Sequence, residues 1–188
     1  MKKIIAMAAL AFLTSTISSQ VFAQSGNTVK VGGEVMYPKK DIIDNAVNSK
    51  DHTTLVAAVK AAGLVETLKG NGPFTVFAPV NDAFENLPAG TVDNLLKPES
   101  KSTLTSVLTY HVISGKYDFD ALASIIKKAN GKASLKTVQG QELSFTMNGN
   151  HNICVWDGAG NYANISTYDV YQSNGVIQVI DKVLMPKM

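Results

Sequence analysis

The run Gly72-Pro73-Phe74-Thr75-Val76-Phe77-Ala78-Pro79-Val80-Asn81-Asp82-Ala83-Phe84 constrains the fold more than any other part of the chain. Gly72-Pro73 punctuates the backbone, because glycine permits unusual dihedrals and proline fixes φ and removes a donor. Phe74 to Ala78 is aromatic, β-branched or small and carries no charge. A short apolar run between turn signals suits a strand buried on both faces. Pro79 then interrupts the ladder, and Asn81 stands where its side chain can cap a helix beginning at Asp82. A buried strand, a proline corner and a capped turn are thus joined within one short segment.

The first residues are set aside before any fold reasoning. Met1-Lys2-Lys3 is a short positive region, Ile4 to Leu13 is apolar, and Val21-Phe22-Ala23 places small residues for cleavage before Gln24. Residues 1–23 read as a secretory signal peptide, with an apolar run too short for a membrane span. Export to the periplasm or the extracellular space is the expectation. Removing Lys2 and Lys3 brings the 17 basic residues down to match the 15 acidic ones. A charge-balanced chain lacks the electrostatic footprint for nucleic acid or an anionic membrane. All the basic residues are lysine, so the planar fork used for bidentate phosphate and guanine contacts is missing. Cys154 is the single cysteine and reads as a small buried hydrophobe in a strand.

Residues 24–39 are polar and glycine-bearing and read as a flexible leader, with the domain itself over residues 40–187. The period is helical from Asp41. Leu55, Ala58, Val59 and Ala62 keep helical spacing after cap candidates in Asp51-His52-Thr53-Thr54, and Gly63 closes that helix. Thr91 is a cap candidate for a short helix ending at Lys97-Pro98. A longer one spans about Glu99 to His111, with Leu104, Val107, Leu108 and His111 on one stripe. Asp118 or Asp120 caps a last helix over Leu122, Ile125 and Ile126. From Ser134 the period becomes two, and strands are expected at 135–138, 142–147, 151–156, 162–167, 176–180 and 183–185 between glycine-rich turns. The class is α+β in one domain.

Chemistry is hard to find in this pattern. His52, His111 and His151 fall in different elements without metal-ligand spacing, and no cofactor or metal is expected. Asp157-Gly158-Ala159-Gly160-Asn161 lacks the later ligands of a calcium loop and reads as a hairpin turn. No serine sits in a nucleophile elbow. Tyr110-His111 is the polar pair that stands out. His111 lies on the apolar stripe, which suits a core histidine, whereas Tyr110 lies beside the stripe and is expected to be partly exposed, as in a protein-binding surface.

Three blocks together resemble the fasciclin-like domain: Gly72 to Phe84, Leu108-Thr109-Tyr110-His111-Val112-Ile113, and Ser173-Asn174-Gly175 through Asp181 to Pro186. The resemblance implies a β-wedge of two sheets with several helices packed around it, and a secreted, non-catalytic adhesion or interaction role toward a cell-surface or matrix protein or glycan. It also implies Tyr110 and His111 as candidate contacts, and Asn81, Asp82, Asn174, Gly175 and Asp181 as structural motif residues. Two positions depart from the family pattern: Val80 stands where threonine is usual, and Gln178 where histidine is usual. An alternative is a small-molecule or glycan carrier with Tyr162, Tyr168 and Tyr171 lining a cleft. A hydrolase is the weakest alternative.

Overall fold

The computed structural model describes residues 28–187, so the signal-peptide reading of 1–23 lies outside the described residues. Its elements in chain order are strands β1 (Val29–Val31) and β2 (Glu34–Met36), helix α1 (Ile42–Ala46), a 3-10 turn at Lys50–His52, α2 (Thr53–Ala62), α3 (Val65–Lys69), β3 (Phe74–Pro79), α4 (Asn81–Glu85) and α5 (Thr91–Leu95). A second 3-10 turn at Pro98–Ser100 leads into α6 (Lys101–Tyr110), β4 (Val112–Ser114), α7 (Phe119–Lys128), β5 (Lys132–Lys136), β6 (Glu142–Asn148), β7 (Asn152–Trp156), β8 (Tyr162–Gln172) and β9 (Gly175–Ile180).

The charge-free run behaves as its composition demands. β3 pairs parallel with β9 along its whole length and antiparallel with β4, so it is interior to the sheet. Side chains alternate across it, as the period of a strand requires. Phe77 enters one apolar cluster, and Val76 and Ala78 enter another on the opposite face. Pro79 remains in register with Ile180, and the N–H that a proline lacks is supplied next door, Val80 donating to the Ile180 carbonyl at 3.2 Å.

The seven-stranded sheet has the order β4-β3-β9-β8-β7-β6-β5. It nearly closes on itself, because Ile113 bridges Thr137 and the Val138 N–H donates to the Val112 carbonyl at 2.8 Å. Register shifts between Ile165 and Val170 break the regular β8–β9 ladder, and bulges of this kind bend and twist a strand. Inside the near-barrel lie Phe77, Ile113, Leu143, Phe145 and Val155, and α7 plugs it with Leu122 and Ile126. Asp118 caps that helix, accepting from the Ala121 N–H at 3.0 Å, while Lys127 and Lys128 sit at its C-terminal end. The second sheet is the β1–β2 hairpin, and α1, α2, α3 and α6 pack with it over the outer face of β3 and β9. In α2 the buried positions are Leu55, Ala58, Val59 and Ala62, and Gly63 follows with φ of 75°.

Four local expectations are corrected. Residues 29–36 are a hairpin with Val31 and Met36 in the core, held where Asn45 exchanges hydrogen bonds with the Tyr37 backbone (2.8 and 2.9 Å) and also donates to Gln172. The leader is therefore ordered here through partners that lie far along the chain. Residues 183–185 form no strand, since two of their N–H groups donate to side chains instead of a ladder. Gly90, not Thr91, occupies the cap position of α5. Asn81 is the first residue of α4 and caps a different helix: its Oδ1 accepts from the Thr54 N–H at 3.1 Å and its Nδ2 donates to the Lys50 carbonyl at 2.8 Å.

β3 and β9 begin in close contact, and a Cβ at Gly175 would overlap the Phe74 carbonyl. Gly175→Ala is expected to destabilise the protein by about 2 kcal/mol or more, read as a lowered urea midpoint at unchanged m-value.

Candidate functional site

The site built from Tyr110 and His111 sits where α6 meets β4. The His111 ring lies inside the protein with both nitrogens bonded: Nδ1 donates to the Val107 carbonyl at 2.8 Å, and Nε2 accepts from the Leu184 N–H at 2.9 Å. This arrangement defines one neutral tautomer. Burial pushes its pKa down to about 4, against weaker opposing pulls from the Val107 backbone and the Asp157 carboxylate.

Tyr110 is also buried, with 0% of its surface exposed, which corrects the expected partial exposure. The reason lies in α6 itself. Leu104, Val107 and Leu108 face the helical layer, while Tyr110 turns into the near-barrel, so the helix is buried on two sides. The Tyr110 hydroxyl donates to the Glu142 carbonyl at 3.0 Å and accepts from the Gly158 N–H at 2.8 Å. Burial raises its pKa. Neither ring offers a surface contact in this structure.

His111, together with Asp157 and Gln141, holds the segment 184–187, while Tyr110 ties β6 to the 157–161 loop. Leu184, bonded to His111, buries its side chain among the barrel residues. The adjacent Met185 N–H donates to Asp157 Oδ2 at 3.2 Å, and Gln141 grips the backbone of Lys187 at 2.8 and 2.9 Å. Asp157 also turns its own loop, its Oδ1 accepting from the Ala159 and Asn161 N–H groups. The hairpin-turn reading of 157–161 is thus accounted for, and the acidic group there is consumed by backbone donors.

The remaining motif residues are spread over the fold. Asn174 Oδ1 accepts from the Ile42 N–H at 3.1 Å, and its Nδ2 donates to the carbonyls of Leu68 and Gly70 at 2.8 and 3.1 Å. One amide therefore joins the start of α1, the end of α3 and the approach to β3. Asp181 accepts from both the backbone and side-chain nitrogens of Asn164 at 2.8 Å. Asp82 is exposed in the first turn of α4. Gln178, wholly buried, donates to the Tyr117 carbonyl and to Asp169 Oδ1 and accepts from the Asp169 N–H at 3.1 Å. Asp169 has φ of 58°, so the glutamine amide secures a left-handed residue in β8.

The three tyrosines proposed to line a cleft are not brought together. Tyr168 packs edge-on against Phe119 and accepts from the Ile153 N–H, Tyr171 reaches Asp118 under Lys116, and Tyr162 lies on the outer sheet face against Trp156. Among the described residues no group of three histidine, cysteine, aspartate or glutamate side chains is placed to hold a metal ion. Cys154 is buried and free, its thiol pKa raised by burial. Among the described residues no helix is long and apolar enough to cross a membrane.

The fold is thus a near-closed sheet plugged by one helix, in which Asn174, Gln178 and Asp181 join segments distant in sequence. Residues 50–186 match the fasciclin domain model, and the chain belongs to that family. Protein sll1483 of Synechocystis sp. is 46% identical over 149 residues, covering 78% of this chain and 74% of that protein. Immunogenic protein MPB70 of Mycobacterium bovis is 38% identical over 151 residues, covering 75% of this chain and 66% of that protein. A FAS1 domain pair from the insect cell adhesion molecule fasciclin I shares the fold with a TM-score of 0.69 at 18% identity, over 79% of this chain and 51% of that one. The family is known for adhesion and interaction roles.

His111 links stability to pH. Its pKa in the folded state lies below the ordinary 6.5, so the unfolded chain takes up the proton first as the pH falls. The stabilisation is complete above pH 6.5 and is lost between there and about 4, which amounts to about 3 kcal/mol for this one group. Urea unfolding at pH 7 and pH 4.5 should show that loss, and His111→Gln should shrink it. A pH-independent midpoint between those values would contradict the buried neutral ring.

Proposed function

We propose that this protein is an exported, non-catalytic interaction module that binds a cell-surface or matrix protein or glycan through the outer face of β5 to β8. The observation that carries the reading is an aromatic pair on that face, in which Tyr162 is exposed and Trp156 half-buried. Trp156 and Tyr162 are cross-strand partners with ring centroids 4.9 Å apart, and Tyr162 is 39% exposed. Lys182 lies over the Tyr162 ring at 5.0 Å, and the Trp156 indole N–H donates to Thr146 at 2.9 Å, which orients the pair.

Around these rings the outward positions are polar, with the charged Lys132, Lys136 and Glu142 at one edge. Ser134, Asn148, Asn152 and Ser166 are exposed, and Ser144 and Asn164 are half-buried. An aromatic anchor within a rim of hydroxyls, amides and a few charged side chains combines apolar contact area with adaptable polar contacts, the mixture favoured at recognition surfaces. Tyr110 and His111 support this face indirectly, because they anchor residues 184 and 158 at the end of the barrel. Export is supported by the signal-like character of Met1 to Ala23. The adhesion role of the insect molecule that shares this fold accords with the same reading.

Binding of the purified protein to intact host cells and to their extracted surface polymers provides the test. Tyr162→Ala combined with Trp156→Ala should weaken that binding at least tenfold. Tyr162→Ala alone should leave the unfolding free energy within about 1 kcal/mol. Tyr110→Phe, by contrast, should cost about 1–3 kcal/mol of stability, because Gly158 and Glu142 lose a buried partner, while binding by the folded fraction persists. Undiminished binding by the double variant would overturn the assignment of this face.

A further inference from the structure

Charge is balanced over the chain but not over the face that holds Trp156 and Tyr162. From Ala121 to Gln141 the sequence carries Lys127, Lys128, Lys132 and Lys136 and no carboxylate. Ala133 is buried in the barrel and Leu135 packs against it, so the alternation of a strand turns Lys132, Ser134 and Lys136 outward. All four lysines are exposed, and among the described residues none has a carboxylate within ion-pair distance. The same holds for the exposed Lys182, whose ammonium lies 5.0 Å from the Tyr162 ring centre.

The registers arrange these charges around the aromatic pair. Ser134 opposes Ser144, Ser144 opposes Trp156, and Trp156 opposes Tyr162, so one row of side chains crosses four strands. Three strand spacings make that row roughly 14 Å long. Lys182 covers its β8 end, and Lys132 and Lys136 flank Ser134 at its β5 end, each about 7 Å along the strand. Two carboxylates lie near the row. Glu142 is opposite Lys136 without forming an ion pair, and Asp181 is held by the two nitrogens of Asn164. The ammonium groups at both ends are therefore free to meet an anion.

The side chains of the face choose the chemistry of the partner. Among the described residues of β5 to β8, no outward position in these registers carries an aliphatic side chain, whereas the core of a protein–protein interface is more apolar than the surface around it. A sugar ring offers C–H bonds on its face and hydroxyls around its rim. The first suit the electron-rich faces of Trp156 and Tyr162, and the second suit hydroxyls and amides such as Ser134, Ser144 and Asn152. Lysine is a point charge on a flexible stem, and with no arginine in the chain the face lacks forks for bidentate anions. Single carboxylates spaced along a polymer match that arrangement. We propose that the row from Ser134 to Tyr162 binds a carboxylate-bearing polysaccharide, with sugar rings on Trp156 and Tyr162 and carboxylates of neighbouring sugars on Lys132, Lys136 and Lys182. This rests on the reading of the face as the binding surface, and it names the class of polymer the face takes.

Titration calorimetry separates charge from sugar with three probes. Hexagalacturonate carries both, its full methyl ester keeps the rings without the charge, and hexaglutamate keeps the charge without the rings. Hexagalacturonate should bind at least tenfold more tightly than either, and its affinity should fall as salt is raised. Lys132→Gln combined with Lys136→Gln should weaken hexagalacturonate about tenfold, flatten the salt dependence and leave the methyl ester unaffected. Both lysines are exposed on β5, so this variant should keep the unfolding midpoint of the parent protein. Hexaglutamate binding as tightly as hexagalacturonate would reduce the face to a bare cationic patch and overturn the proposal. Equal affinity for the acid and its ester would overturn the role of the lysines. If binding to host cells still depends on Trp156 and Tyr162 while hexagalacturonate neither binds nor competes, the face stands as a binding surface and the polysaccharide assignment falls.

Discussion

The parallel pairing of β3 with β9 is the interaction on which the rest of the molecule depends. These strands are about a hundred residues apart in sequence, and each turns one face to the barrel and the other to the helices. Parallel strands buried on both faces need neighbours on both sides, and here β4 and β8 supply them within the sheet. The pairing closes a long loop, which is an entropic cost recovered only when both apolar faces are covered. The two clusters are therefore coupled through one pair of strands. Phe77 and Ile180 belong to the barrel, and Ala78 and Val179 belong to the helical layer.

Polar groups in the three matched blocks act as ties across that pairing. Asn174 joins the two strand entrances to α1 and α3, and Asn81 joins the exit of β3 to the start of α2. Gln178 supports the irregular stretch of β8 from within β9, and Asp181 holds the far end of the same strand. Each of these groups accepts from or donates to backbone that has no partner in a regular ladder. Leaving such backbone buried and unpaired is costly, which gives these side chains a structural reason for their identity. The glutamine at 178 illustrates the point. An amide offers a donor and an acceptor at once without titrating, so the tie persists across the pH range in which a histidine would change charge.

Much of this was legible in the residues where neighbours in sequence are also neighbours in space. Leu55, Ala58, Val59 and Ala62 define α2 by spacing alone, and Asn148-Gly149-Asn150 and Ser173-Asn174-Gly175 mark turns through local chemistry. Legibility failed where a distant partner decides the outcome. The β1–β2 hairpin is short, and its order comes from Asn45 and Gln172, which no window on residues 24–39 contains. Residues 183–185 carry a strand-like composition, yet His111 and Asp157 capture their N–H groups. Tyr110 lies off the stripe of α6 in a helical projection, and that projection assumes a single buried side. The helix stands between two cores, so the off-stripe residue is buried too. Trp156 and Tyr162 were readable as strand residues, but their pairing on one outward face depends on the β7–β8 register.

The two sides of the central sheet also explain where vacant space can survive. Facing the barrel, β3 presents Phe77, which packs against Phe145 at 5.5 Å, and Tyr110 and α7 occupy the remainder. Facing the helices, the same strand presents Val76 and Ala78, and α2 opposes them with leucine, valine and alanine. Rings fill volume that short branched side chains leave open when rigid helices meet a twisted sheet. The apolar cavity bordered by Val76 and Ala78 is thus a consequence of the alternation Val76-Phe77-Ala78.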